Sequence, residues 1–197
     1  SFLQFMNDFL DFYEDDENVI SATGYVYPIE NDLPEAFFLR GADCWGWATW
    51  RRGWDLFESN GQKLLDILES EGRCSDFDFN ESYPYTKMLR DQIAGLNSSW
   101  AIRWYASAFL NDKLTLYPGR SLIQNIGNDG SGVHCADTKQ WDVELDNNCP
   151  ELGKVDVCEN LQARAAFQAF FSLGKKKKSL FKKILRSVKV INRRIFT

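Results

Sequence analysis

Asn97–Cys135 reads N-S-S-W-A-I-R-W-Y-A-S-A-F-L-N-D-K-L-T-L-Y-P-G-R-S-L-I-Q-N-I-G-N-D-G-S-G-V-H-C, and it changes periodicity midway. Ser98 or Ser99 offers an N-cap for a helix that runs to Leu110. Leu114–Tyr117 and Leu122–Ile126 then follow as two short strands around a Pro118-Gly119 turn. A helix that passes so quickly into strands predicts an α/β fold. The stretch closes on the sole histidine, His134, in a loop with Gly127, Gly130 and Gly132, where backbone amides can approach an anion closely.

Upstream, Gly41–Trp54 reads G-A-D-C-W-G-W-A-T-W-R-R-G-W and holds four of the seven tryptophans. Trp47, Trp50, Trp54 and Phe57 share one face of a helix starting near Gly46. The apolar positions of Phe2–Tyr13 recur at helical spacing, so the chain starts inside an amphipathic helix and an N-terminal portion is expected before it. Val19–Val26 and Ala36–Leu39 read as strands. Helices are predicted at Gln62–Ser70, Tyr85–Leu96 and Leu161–Leu173, with mainly loop over Asp129–Asp156. The sum is a mixed α/β layer architecture in which helices outnumber strands.

At 197 residues, with 44% hydrophobic and 15% aromatic content, the chain can bury a sizeable core. Its net charge of −5 hides a split. Residues 175–197 carry ten Lys or Arg and no acid, against about −15 for everything before them. Cys44, Cys74, Cys135, Cys149 and Cys158 form no C-x-x-C pair and have no second histidine to complete a zinc site, which fits a reducing compartment. Ser1–Tyr13 lacks the basic start of a signal peptide, and no apolar run is long enough to span a bilayer.

Five strings carry a resemblance: F-L-Q-F-M-N-D-F-L-D-F-Y, I-S-A-T-G-Y, F-F-L-R-G-A-D-C-W-G-W-A-T-W, S-W-A-I-R-W-Y-A-S and L-Y-P-G-R-S-L-I-Q-N-I-G-N-D-G-S-G-V-H-C. Over roughly Ser1–Cys135 the sequence resembles the C-terminal two thirds of bacterial family 2 glycosyltransferases of the GT-A fold. These build surface polysaccharides and are distantly similar to N-acetylglucosaminyltransferase I. The resemblance implies a partial GT-A mixed sheet with flanking helices, its N-terminal nucleotide-binding strands missing, over residues 1–173. It implies inverting transfer of a sugar from a nucleotide-sugar donor to a saccharide or lipid-linked acceptor, with Mn²⁺ or Mg²⁺ in the complete protein. The alternative is a catalytically inactive carbohydrate-binding or membrane-associated module.

The family's acidic metal motif precedes the opening helix. Glu14, Asp15 and Asp16 follow that helix and read as its solvated end. The family's base is a carboxylate just before the first tryptophan of the S-W-A-I-R-W string, commonly as N-D-S-W, which puts it at the position of Ser98 here. A serine hydroxyl needs an activating partner to act as a base. Ser98 is therefore either a changed base position or simply an N-cap, with Asp43 and Asp91 as substitute bases. Trp50 and Trp54 read as core, whereas the resemblance puts Trp45 and Trp47 at the acceptor side, where indoles stack on sugar rings, with Trp100 and Arg103 nearby. His134, with Gly130, Ser131 and Gly132, either contacts diphosphate and metal or is an ordinary surface residue. Arg103 and Arg120 either pair with a carboxylate or reach a phosphate.

In residues 174–197 four lysines precede Leu180, Phe181, Ile184, Leu185, Val188 and Ile191 at helical spacing. This reads as a basic interfacial helix on an anionic leaflet, at roughly 1 kcal/mol per basic residue, or as a solvated tail. Nucleic acid is disfavoured because the acidic domain before it would repel a polyanion. The expected location is the cytoplasmic face of the cell membrane.

Overall fold

The computed structural model describes residues 1–128, 139–146 and 152–174. The fold is mixed α/β, with a four-stranded mixed sheet and flanking helices. Helix α1 (Phe2–Phe12) leads into β1 (Val19–Thr23), β2 (Ala36–Arg40) and β3 (Trp47–Thr49). Helices α2 (Arg51–Trp54), α3 (Gly61–Ser70), α4 (Cys74–Phe77), α5 (Tyr85–Ile93) and α6 (Ala101–Leu110) come next, then β4 (Leu114–Pro118) and a short 3₁₀ turn at Ile126–Asn128. A last helix, α7, occupies 161–174.

The strand order is β2-β4-β1-β3. The last strand in sequence is therefore central, parallel to β1 and antiparallel to β2. Alternation sorts its neighbours onto two faces. Phe37, Leu39 and Tyr117 pack with α3, α4, α5, α6 and α7, while Phe38, Leu114 and Leu116 pack with Phe5, Met6 and Phe9 of α1. Each aromatic so buried contributes about 1.5–3 kcal/mol. Between β1 and β4 the Ser21 and Thr115 hydroxyls lie 2.7 Å apart, and Thr115 donates onward to the Gly41 carbonyl at 2.7 Å.

Arg52 ties α1 to the sheet. Its guanidinium donates to the carbonyls of Tyr13, Glu14 and Val19 at 2.9, 3.1 and 2.8 Å and lies 4.1 Å from the Trp50 ring centroid. It thereby satisfies carbonyls that a helix end leaves open. On the opposite face Arg164 of α7 bonds Asp76 and Glu159, and Asp76 also pairs with Arg40.

Two expectations are corrected. Trp47–Thr49 is a strand rather than a helix, because it pairs with Ser21–Thr23, and helix begins only at Arg51. Leu122–Ile126 forms no strand, since β1 and β2 already occupy both sides of β4 and leave a hairpin partner no edge. Among the described residues no helix is long and apolar enough to cross a membrane.

Candidate functional site

The sheet delivers two aromatic groups to one region. Two left-handed glycines bracket the loop after β2: Gly41 at φ +101°, where a side chain would strike the Tyr105 ring, and Gly46 at φ +53°, where it would meet Ile123. Glycine takes such angles at no steric cost. The loop between them holds Asp43, Cys44 and Trp45, and the Thr23 hydroxyl anchors it by donating to the Trp45 carbonyl at 2.8 Å.

Asp43 Oδ1 accepts the backbone N–H groups of Cys44 and Trp45 at 2.6 and 3.2 Å. Oδ2 has no hydrogen-bond partner among the described residues, and the residue keeps partial solvent access. Burial raises the carboxyl above its ordinary value against those two N–H groups, and no basic side chain of the described residues offsets its charge. The Cys44 thiol is pushed up to about 12, first by burial and then by Asp43. Burial also lifts the phenols of Tyr25, Tyr27, Tyr83, Tyr85 and Tyr117, and the Asp43 charge adds to each. Asp43 is thus a carboxylate whose charge reaches five largely buried phenols.

That grouping was not foreseen as a whole. Its tyrosines come as two i, i+2 pairs, Tyr25-Val26-Tyr27 and Tyr83-Pro84-Tyr85, a spacing that could have drawn notice. Trp45 packs edge-on to Tyr25 at 4.6 Å, and the Tyr25 hydroxyl donates to the Trp141 carbonyl at 2.7 Å.

The second group is an indole cluster. Trp47 lies 5.7 Å from Trp100, 5.8 Å from Trp54 and 5.6 Å from Trp104 between ring centroids. Trp104 is fully buried, and its indole N–H has no acceptor among the described residues. Trp54 and Trp100 are 41% and 39% exposed, so the cluster presents an open aromatic edge. Trp54 belongs to this edge rather than to the core, while Trp50 packs against Phe9 at 4.7 Å, as expected of a core residue.

The edge adjoins the start of α6. Asn97 Oδ1 accepts the Ser99 N–H at 3.0 Å, and Ser99 Oγ accepts the Ile102 N–H at 3.4 Å, while Trp100 holds the cap position. Ser98 sits inside this turn. Arg103 reaches back to donate to the Ser59 carbonyl at 2.8 Å and lies over Phe57. Asp91 pairs with Lys87 on the exposed side of α5. Asp16 caps the turn after α1 by accepting the Asn18 N–H at 3.0 Å.

Arg120 lines a separate cleft of about 960 Å³ together with Tyr27, Glu30, Asp32 and Asp142. No cluster of His, Cys, Asp and Glu suited to a metal ion occurs among the described residues. His134, Gly130, Ser131 and Gly132 lie outside the described residues, as does the basic segment 175–197. Compared with known protein families, with curated proteins and with solved structures, the chain matches none.

Proposed function

We propose that this chain belongs to a sugar-nucleotide-dependent glycosyltransferase of GT-A type that passes a sugar, with inversion, to a saccharide or lipid-linked acceptor. The observation that carries the reading is the indole edge. Trp47, Trp54 and Trp100 come from two separate sequence blocks and gather beside the Ser98 turn, leaving Trp54 and Trp100 about two-fifths exposed. Exposed indoles beside polar turns suit the apolar C–H faces of sugar rings, while hydroxyl and amide groups at the rim suit their hydroxyls.

In this reading Trp47 and Trp100 belong to the acceptor side, with Arg103 fixing the loop that frames it. A divalent metal and the donor diphosphate belong with the His134 loop and with the acidic motif that the resemblance places before the opening helix. The basic segment 175–197 would hold the protein on the anionic inner face of the cell membrane, in the cytoplasm.

The test is sugar-nucleotide turnover by the full-length protein with Mn²⁺ or Mg²⁺ and a mixed acceptor pool, alongside its Ser98→Asp variant. Turnover in either supports the reading, and turnover in the variant alone identifies Ser98 as a silenced base position. Saccharide binding without turnover in either would instead favour the carbohydrate-binding module.

A further inference from the structure

We infer that the cleft lined by Arg120 is an acidic docking surface for the chain's own basic segment, residues 175–197, with the lysines of 175–178 on its carboxylates. The inference goes beyond the transferase reading and does not depend on it.

Three observations converge on it. The first is charge left open. Glu30, Asp32, Glu35, Asp142, Glu144 and Asp146 line the cleft, and Arg120 is the one base among its described lining residues. Glu30, Asp32, Glu35, Asp142 and Glu144 are exposed and make no ion pair among the described residues. Elsewhere Asp76, Asp112 and Glu159 are each paired with an arginine.

The second is where the basic segment begins. Helix α7 ends at Gly174, where an added Cβ would lie 3.1 Å from Gln140 Nε2. Two residues after Gln140, Asp142 lines the cleft, and two residues span at most about 7 Å. Phe170 and Phe171 of α7 pack on Tyr27, another lining residue, at 5.7 and 5.0 Å between ring centroids. The lysines that follow Gly174 therefore start beside the cleft's acids.

The third is a match of chemistry. Residues 175–197 hold ten Lys or Arg and no acid. Ile29, Leu33 and Leu145 place apolar surface between the carboxylates, which suits lysine stems and the Leu180-Phe181 pair behind them. Exposed ion pairs are individually weak, so their number decides the docking, and salt screens them. The cleft and an anionic membrane compete for the same lysines, so docking holds the segment back until such a surface displaces it.

The experiment treats the full-length protein with a carbodiimide, which joins an amine to a carboxylate only where the two touch. The monomer is isolated and the joined residues are mapped by mass spectrometry. Lysines of 175–183 are expected to be joined to Glu30, Asp32, Asp142 or Glu144 at low salt, and at least about fivefold less at about 1 M salt. The rate at which trypsin removes 175–197 is the second readout. The triple variant Glu30→Gln, Asp32→Asn, Glu144→Gln is expected to lose the segment about tenfold faster than wild type, the summed scale of three exposed pairs. Glu14→Gln, Asp15→Asn, Glu17→Gln removes the same charge from exposed positions after α1 and is expected to stay within about twofold of wild type. Joined pairs in a dimer fraction alone would seat the segment on a second copy and overturn docking within one chain. Equal trypsin rates in wild type and the cleft variant, or lysines joined to Glu14, Asp15 or Glu17 in place of the cleft, would overturn the cleft as the seat. Neither readout uses a sugar nucleotide, so the docking and the transferase reading fail separately.

Discussion

The Trp54 indole lies parallel to the Phe57 ring, 4.8 Å between centroids and 2° between planes. One face of Trp54 is thus covered by the protein, and its exposed area is left to the solvent side. Trp54→Ala and Trp100→Ala are expected to weaken saccharide binding about five- to twentyfold while lowering stability by under about 1.5 kcal/mol, because both are partly exposed. Trp104→Ala, which empties a fully buried site, is expected to cost about 3–5 kcal/mol. Titration calorimetry beside urea denaturation separates the two classes. A collapse of stability in Trp54→Ala would make that residue core.

Asp43 gives a pH signature. Its carboxyl is raised above the ordinary 3.8, chiefly by burial, so the folded state holds its proton more tightly than the unfolded chain does. The associated stability is complete below the ordinary carboxylate value and disappears as pH rises through the raised one. At neutral pH the ionised group therefore costs stability. Asp43→Asn keeps a carbonyl for the Cys44 and Trp45 N–H groups without the charge, and is expected to melt above wild type at pH 7. The gap is expected to narrow toward pH 4. Equal melting temperatures at pH 7 would show that the carboxylate is well solvated.

On the other face, Arg164 has a side chain only 8% exposed and divides its guanidinium between Glu159 at 3.0 Å and the Asp76 carboxylate and carbonyl. Arg164→Ala leaves these acceptors short of a donor and is expected to destabilise by about 3–5 kcal/mol. Asp76→Asn, at a more exposed partner, is expected to cost less. Guanidinium chloride midpoints at constant slope check the order.

Gly41 has no tolerant substitute. At φ +101° any side chain is strained, and a methyl group meets the Tyr105 ring. Gly41→Ala is expected to cost roughly 3 kcal/mol or more and to displace the loop that carries Asp43. Unchanged circular dichroism melting would refute this.

For residues 175–197, deletion is expected to release the protein from vesicles containing phosphatidylserine at physiological salt. Cosedimentation checks it, and undiminished binding would remove the membrane role.

Much of the fold was legible because it followed local patterns. The α1, α3, α5, α6 and α7 positions all announced themselves by apolar spacing, within a few residues at their ends. Trp47 misled because its 3.6-residue spacing with Trp50 and Trp54 was outweighed by pairing with Thr23, a contact no local pattern encodes. Leu122 misled for the converse reason: its strand-like run follows β4, whose two sides are already taken by β1 and β2. The Trp47–Trp100 encounter was expected only through the resemblance. The tyrosine grouping near Asp43 needed Tyr25, Tyr27, Tyr83 and Tyr85 to arrive from distant segments, which periodicity cannot report.

The central position of β4 has a temporal consequence. Among the strands β2 pairs only with β4, so it waits for Leu114–Pro118 before it gains a partner, whereas β1 can pair with β3 once Trp47–Thr49 is made. At about 5–20 residues per second on the ribosome, β2 stays unpaired for roughly four to sixteen seconds, an interval in which a nascent strand of A-F-F-L-R seeks any edge. The helices between them make nearer contacts and can collapse first, so the sheet closes around an already compact helical layer. A chaperone requirement during synthesis, rather than low final stability, is the expected weakness of this chain.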